Sequence, residues 1–218
     1  MGQCCASVRQ QDKLETLVTD YEQELGWPGT QFDVFIKQIE MHAAEGLVHV
    51  VRVPMLAYSL GIKIKGELVP GASAIFDYIK DPDEAWMERR LAALGTLLCQ
   101  GTIRAKGSYL LQCYGSEKRL ITRGDMVELV ADCVHIALNL IPTGARECLE
   151  TEDRVVLAGR MERYCNLLNH SVEELCVYLL ADAFSDGRTF ILAEKFLEKL
   201  QSSNLKCLCD SNLMRRLA

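Results

Sequence analysis

No stretch of the 218-residue sequence approaches the about 20 uninterrupted apolar residues that a membrane-spanning helix requires. The most apolar segment, 126–141, is broken by Glu128, Asp132 and His135, so no bilayer span is expected. Positive charge is also in short supply: 24 lysines and arginines face 30 aspartates and glutamates, for a net charge of −6. That balance disfavours a protein that binds nucleic-acid phosphates through a basic face. Residues 1–10 lack the apolar centre of a cleavable secretory signal, which points to a reducing compartment. The Asn169-His170-Ser171 sequon has meaning only in a secreted chain.

Catalytic groupings are missing as well. Cys133 and His135 would lie on neighbouring, divergent faces of one helix, and His42, His49 and His170 have no evident cysteine and carboxylate company. No glycine-rich loop able to cradle a phosphate is present. Cys207 and Cys209 form a lone C-x-C, which supplies two zinc ligands at most. The sequence reads as that of a non-enzyme with no resident cofactor.

What is present is a foldable, helical chain. Hydrophobic residues make up 49% and charged residues 25%, which rules out disorder and collagen-like structure. A chain of this length hides roughly 70% of its unfolded surface and can form one large domain or two lobes with a shared interface. Of ten cysteines, Cys99, Cys113, Cys133, Cys165 and Cys176 sit within apolar helical patterns and read as small core hydrophobes. Met126, Val130, Cys133, Val134, Ala137 and Ile141 recur at steps of three and four, predicting a helix that Pro142 ends. Similar spacing joins Phe32, Phe35 and Ile36, then Leu91, Leu94, Leu97 and Leu98, then Leu175, Leu179 and Leu180, then Phe196, Leu197 and Leu200. Each predicts an amphipathic helix of two to four turns.

The sequence Met1-Gly2-Gln3-Cys4-Cys5-Ala6-Ser7 reads as an acylation signal. Removing Met1 would expose Gly2 to myristate, although Ala6 stands where Ser or Thr is usual. One myristoyl chain anchors a protein only marginally. Palmitoylation at Cys4 and Cys5 would supply a second hold, since Asp12 and Glu15 offset Arg9 and Lys13. The alternative is a flexible segment with two incidental cysteines.

Between the helices lie short polar stretches, each with one β-branched or aromatic residue: the outline of an EF-hand. With Gly46 at the sixth, sharp-turn place of a twelve-residue loop, loop one is 41–52 and Val48 takes the eighth, extended place. A second loop, 79–90, puts Trp86 there. A third, near 115–125, is one residue short and offers Ile121. A fourth, from Asp182 to about Glu194, contains Asp186-Gly187 and Phe190-Ile191 and is one residue long.

The run from Phe76-Asp77-Tyr78 through Leu94-Gly95-Thr96-Leu97-Leu98-Cys99-Gln100-Gly101-Thr102, Lys106 and Cys113-Tyr114 to Leu120-Ile121-Thr122-Arg123-Gly124-Asp125-Met126 resembles the join between the second and third hands of the recoverin, neuronal calcium sensor and calcineurin B group. The resemblance covers roughly residues 30 to 200 and departs from the group between Thr143 and Asn169. It implies an all-α fold: two lobes of paired helix–loop–helix units, with very short strands between paired loops. The expected organisation is an acylated flexible tail and lead-in at 1–25 and an N-terminal pair of units at 26–102. A C-terminal pair follows at 103–205, with an inserted helix near 151–169, and a tail at 206–218.

Calcium requires six to eight oxygen ligands, supplied by alternate loop positions and closed by a bidentate carboxylate at the twelfth. Loop one offers Met41, Ala43 and Glu45 and closes on Arg52; loop two offers Ile79, Asp81 and Asp83 and closes on Arg90, with Glu84 at the turn-glycine place. Neither should bind the ion. The arginines could instead donate to loop carbonyls and to Asp81 or Asp83. Loop three contains Glu117 and Asp125 but also Lys118, Arg119 and a deletion. Only loop four keeps candidate metal ligands, Asp182, Asp186 and Glu194, although Phe184 occupies a ligand place and Asp186-Gly187 could simply make a turn.

These readings lead to a lipid-anchored adaptor or regulatory subunit at the cytoplasmic face of a membrane, largely without calcium control. It would dock a protein target such as an amphipathic helix, using Met55, Leu56, Tyr58, Leu94, Leu97 and Leu98 as a groove, though such residues are more often core. The alternative is a calcium sensor with one weak site in the fourth loop.

Overall fold

The structure, a computed structural model, describes residues 2–62, 69–115, 120–151 and 154–218, without the side chains of 2–12 and 151. The chain is mostly helical, as its three-and-four periodicity predicts. Helix α1 (Gly2–Glu24) and a 3₁₀ turn (Trp27–Gly29) lead into α2 (Phe32–His42), β1 (Leu47–Val48) and α3 (Val53–Ser59). Next come α4 (Ala72–Ile79), β2 (Trp86–Met87) and α5 (Glu88–Leu98), then α6 (Ile103–Tyr114), β3 (Leu120–Thr122) and α7 (Arg123–Val134). A π-helical turn (His135–Leu140) joins α7 to α8 (Ile141–Thr151). Helix α9 (Val155–Ala183), β4 (Phe190–Leu192), α10 (Ala193–Ser202), a 3₁₀ segment (Asn204–Cys209) and α11 (Ser211–Leu217) complete the fold.

The short strands pair antiparallel in twos. β1 lies against β2, with Val48 opposite Trp86, and β3 against β4, with Ile121 opposite Ile191. The residues read as the extended positions of their loops therefore meet. All of these side chains are buried, and Trp86 stacks on Phe76 with ring centroids 5.7 Å apart. One continuous core runs from Val18 and Phe35 through Leu94 and Met126 to Phe196 and Met214. Gly95 lets α5 and α2 approach closely, because a Cβ there would overlap the Phe35 ring.

Four expectations change. Within the 1–25 lead-in, Gly2–Glu24 is helical, and Leu14, Val18 and Tyr21 are buried in the core instead of belonging to a flexible tail. From Val155 onward the predicted inserted helix at 151–169 is the first half of the 29-residue α9 (Val155–Ala183), continuous with the helix entering the fourth loop. Residues 206–218 fold into the 3₁₀ segment and α11, with Cys207, Leu208, Cys209 and Met214 buried. Finally, Pro142 does not end the helix. It lies just beyond the π-helical turn, which absorbs the hydrogen-bond shift that a proline imposes. The resulting run, Arg123–Glu150, is long and apolar enough to cross a membrane, but 61% of its most apolar window is buried inside the fold.

Candidate functional site

Each of the first two loops turns on a left-handed residue and closes on an arginine. Gly46 has φ of 78°, and Glu84 at the equivalent place has φ of 63°, a conformation that costs a residue with a Cβ roughly 1–2 kcal/mol. Lys80 sits 2.8 Å from the Glu84 carboxylate and 3.0 Å from that of Asp77. Asp81 does not meet a cation: its Oδ1 accepts from the backbone N–H groups of Asp83 and Ala85, both at 2.9 Å, and so shapes the turn.

The closing arginines reach back into their loops. Arg52 Nη1 donates to the His42 carbonyl at 3.4 Å. Arg90 Nη1 donates to the Tyr78 carbonyl at 2.6 Å and approaches that of Lys80 at 3.4 Å. The expected pairing of Arg90 with Asp81 or Asp83 is not made. Its Nε lies 3.7 Å from Oδ1 of Asp132 on α7, and its guanidinium lies over the Tyr78 ring, 4.5 Å from the centroid.

Asp132 thereby becomes the centre of a junction between the two strand-paired halves. Its two carboxylate oxygens accept from Tyr78 on α4 at 2.5 Å and from Tyr114 on α6 at 2.7 Å. Burial, and then the Asp132 contact, push both phenols well above their ordinary value. The His135 ring packs on Tyr78 at 4.6 Å, and burial holds this imidazole below its usual range. At the rim, Arg89 joins Glu128 at 2.5 Å.

The fourth loop does not gather its acids. Gly187 makes a left-handed turn with φ of 75°. Asp186 pairs with Arg188 at 3.5 Å, and Glu194 is exposed in the first turn of α10. The Asp182 backbone carbonyl accepts from Lys199 Nζ at 2.8 Å, and the same ammonium reaches Ser185 Oγ at 2.9 Å. A lysine from the exit helix thus brings a tethered positive charge to this loop too. Among the described residues, no three His, Cys, Asp or Glu side chains come together as a metal-holding group. In the third loop, Glu117, Lys118 and Arg119 lie outside the described residues, and Asp125 serves the capping box of α7, its carboxylate accepting from Thr122 N at 2.8 Å.

The six residues read as a groove divide. Leu56, Leu94, Leu97 and Leu98 are buried in the core, so they cannot line an open surface in this conformation. Met55 and Tyr58 are exposed on α3, at 61% and 89%, near the exposed Val51. Periodicity identifies an apolar face but not what covers it. The lipidation candidates Gly2, Cys4 and Cys5 lie on the first turn of α1, with side chains outside the description.

Comparison with protein-family models, with curated proteins and with solved structures yields no match for this chain.

Proposed function

We propose that the helix–strand–helix units are EF-hands in which tethered cations stand where an ion would sit, and that the protein is a lipid-anchored adaptor or regulatory subunit. It holds a partner protein at the cytoplasmic face of a membrane, largely without calcium control. The observation that carries this reading is the shared geometry of Arg52 and Arg90: each fills the closing position of its loop and donates back to that loop's carbonyls. The strand pairs and the left-handed sixth residues at Gly46, Glu84 and Gly187 supply the EF-hand frame. Sensor EF-hands open when an ion enters. A loop already closed by its own arginine has no such input.

Membrane attachment rests on Gly2, Cys4 and Cys5. The partner is a protein segment, such as an amphipathic helix, met by a preformed surface. A second reading, a sensor with a weak fourth site, draws on Asp182 Oδ2, which is buried without a hydrogen-bond partner. Lys199 at the same residue's carbonyl opposes it.

Flotation of the acylated protein with vesicles, in calcium and in a chelator, tests the proposal together with crosslinking of bound proteins in cells. Equal membrane recovery and the same crosslinked partners in both conditions are expected. A calcium-dependent change in either would favour the sensor.

A further inference from the structure

Six polar or charged residues are buried among the described ones: Glu22, Thr96, Lys106, Asp132, Ser211 and Arg215. Thr96 bonds within its own helix, and Asp132 belongs to the junction above. The other four all hold the segment that follows α10, which no ion-loop or adaptor argument uses. Their arrangement is specific. The Arg215 side chain is fully buried and lies between two carboxylates of α1, with Nη1 2.7 Å from Glu22 Oε1 and Nε 2.8 Å from Glu15 Oε1. Ser211 donates to Glu22 at 2.6 Å, Asn212 to Glu15 at 2.8 Å, and Tyr164 of α9 to the other Glu15 oxygen at 2.6 Å. Although burial pulls its value down, Glu22 and Glu15 outweigh that and hold the guanidinium above its ordinary range.

We infer that α1 and α11 form a single ionic latch, closed by Arg215 between Glu15 and Glu22, which opens as a unit while the four helix–strand–helix units stay folded. The reason is the cost of separating the parts one at a time. If α11 left alone, the buried Glu22 and the half-buried Glu15 would lose their shared cation, and if α1 left alone the guanidinium would be stranded. Helix α11 is not self-sufficient: it has seven residues, and short isolated helices are marginal in water. Their contacts join positions about 190 to 200 residues apart, so they bring α1 and α11 together without passing through either strand pair.

The latch has a boundary at Asp210. Before it, the 3₁₀ segment buries Leu205, Cys207, Leu208 and Cys209, and the Cys209 carbonyl accepts from the buried Lys106 at 2.8 Å. After it, Asp210 is extended and caps α11 by accepting from Leu213 N at 3.0 Å. Residues 204–209 therefore stay with the body while 211–217 leave with α1. Opening uncovers the sides of α8 and α9 that α1 covers, including Ala145 and Leu149, and swings the helix that carries Gly2 away from them. The inference stands whether or not Gly2 is acylated.

Native-state hydrogen exchange on the full chain, read by mass spectrometry, tests it. In the wild type, amides of 13–24 and 211–217 should share one opening equilibrium across sub-denaturing urea, reached before 91–98 and 126–134 exchange. Arg215→Met and Glu22→Gln should each raise exchange in both segments by the same factor, at least tenfold, with 91–98 and 126–134 unchanged. Release of 211–217 with 13–24 still protected would overturn the latch. So would wild-type isotherms for the two segments that merge only with global unfolding, a result that holds even if the variants fail to fold.

Discussion

Arg52 and Arg90 make the same contact in successive units: each Nη1 lies 3.4 Å from the backbone carbonyl ten residues earlier, His42 for one and Lys80 for the other. The two differ in what lies behind them. Arg52 is exposed, whereas Arg90 also meets Tyr78 and Asp132. Arg90→Ala is expected to destabilise the protein by about 2–3 kcal/mol, in the range of charge-assisted hydrogen bonds. Asp132→Ala, which abandons the buried Tyr114 phenol, the half-buried Tyr78 phenol and the arginine, should cost about 3–5 kcal/mol. Arg52→Ala should stay within about 0.5 kcal/mol. Urea unfolding of the three variants checks the order.

At the sixth place of the second loop Glu84 carries a left-handed strain that Gly46 avoids at the same place of the first, where the preceding Glu45 is itself left-handed with φ of 55°. Glu84→Gly should stabilise the chain by up to about 1 kcal/mol, because the left-handed penalty exceeds the worth of an exposed ion pair with Lys80. Gly46→Ala should lose about 1 kcal/mol for the converse reason. Thermal unfolding of the pair should give shifts of opposite sign.

Buried thiols set the alkaline limit of the fold. Burial pushes Cys99, Cys113, Cys207 and Cys209 up to about 12 and Cys165 up to about 11, from an ordinary value of 9.0. Above pH 9 the unfolded chain gives up these protons and the folded chain keeps them, so stability is full below pH 9 and falls as pH rises toward 11–12. Each such proton contributes a slope of about 1.4 kcal/mol per pH unit. Lys106 works the other way: burial lowers it, so its contribution rises with pH toward its unfolded value of 10.5, but it is one proton against several. Urea midpoints should be lower at pH 10.5 than at pH 8.5. An equal or higher midpoint would contradict the assignment of these thiols to the protonated core.

The proposed attachment through Gly2, Cys4 and Cys5 has its own signature. Gly2→Ala should release the protein to the soluble fraction of cells, and Cys4→Ser with Cys5→Ser should leave weak, reversible binding, as expected for one acyl chain. Retention of both variants on membranes would remove the acylation argument.

Much of the frame was legible in the residues. Three-and-four spacing located α2, α5, α7, the end of α9 and α10, and the twelve-residue loops 41–52 and 79–90 placed Val48 and Trp86, which the fold pairs. These are local signals, carried by periodicity and turn chemistry. The rest depends on distant partners. Arg90 meets Asp132, 42 positions away, and not the nearby Asp81, whose carboxylate is committed to its own turn. The one available sign was an aspartate in the most apolar stretch of the chain, where a buried acid needs partners. Leu56, Leu94, Leu97 and Leu98 looked like a groove because an apolar helix face reads the same whether a partner or the core covers it. Likewise, no local pattern around Arg215 points to α1, and only the fold sets it between Glu15 and Glu22.

Isothermal titration of the full-length protein with calcium tests the replacement of ions by tethered cations most directly. No stoichiometric heat is expected at micromolar to submillimolar calcium, in the wild type and in Asp186→Ala alike. A saturable micromolar site in the wild type that vanishes in Asp186→Ala would contradict it.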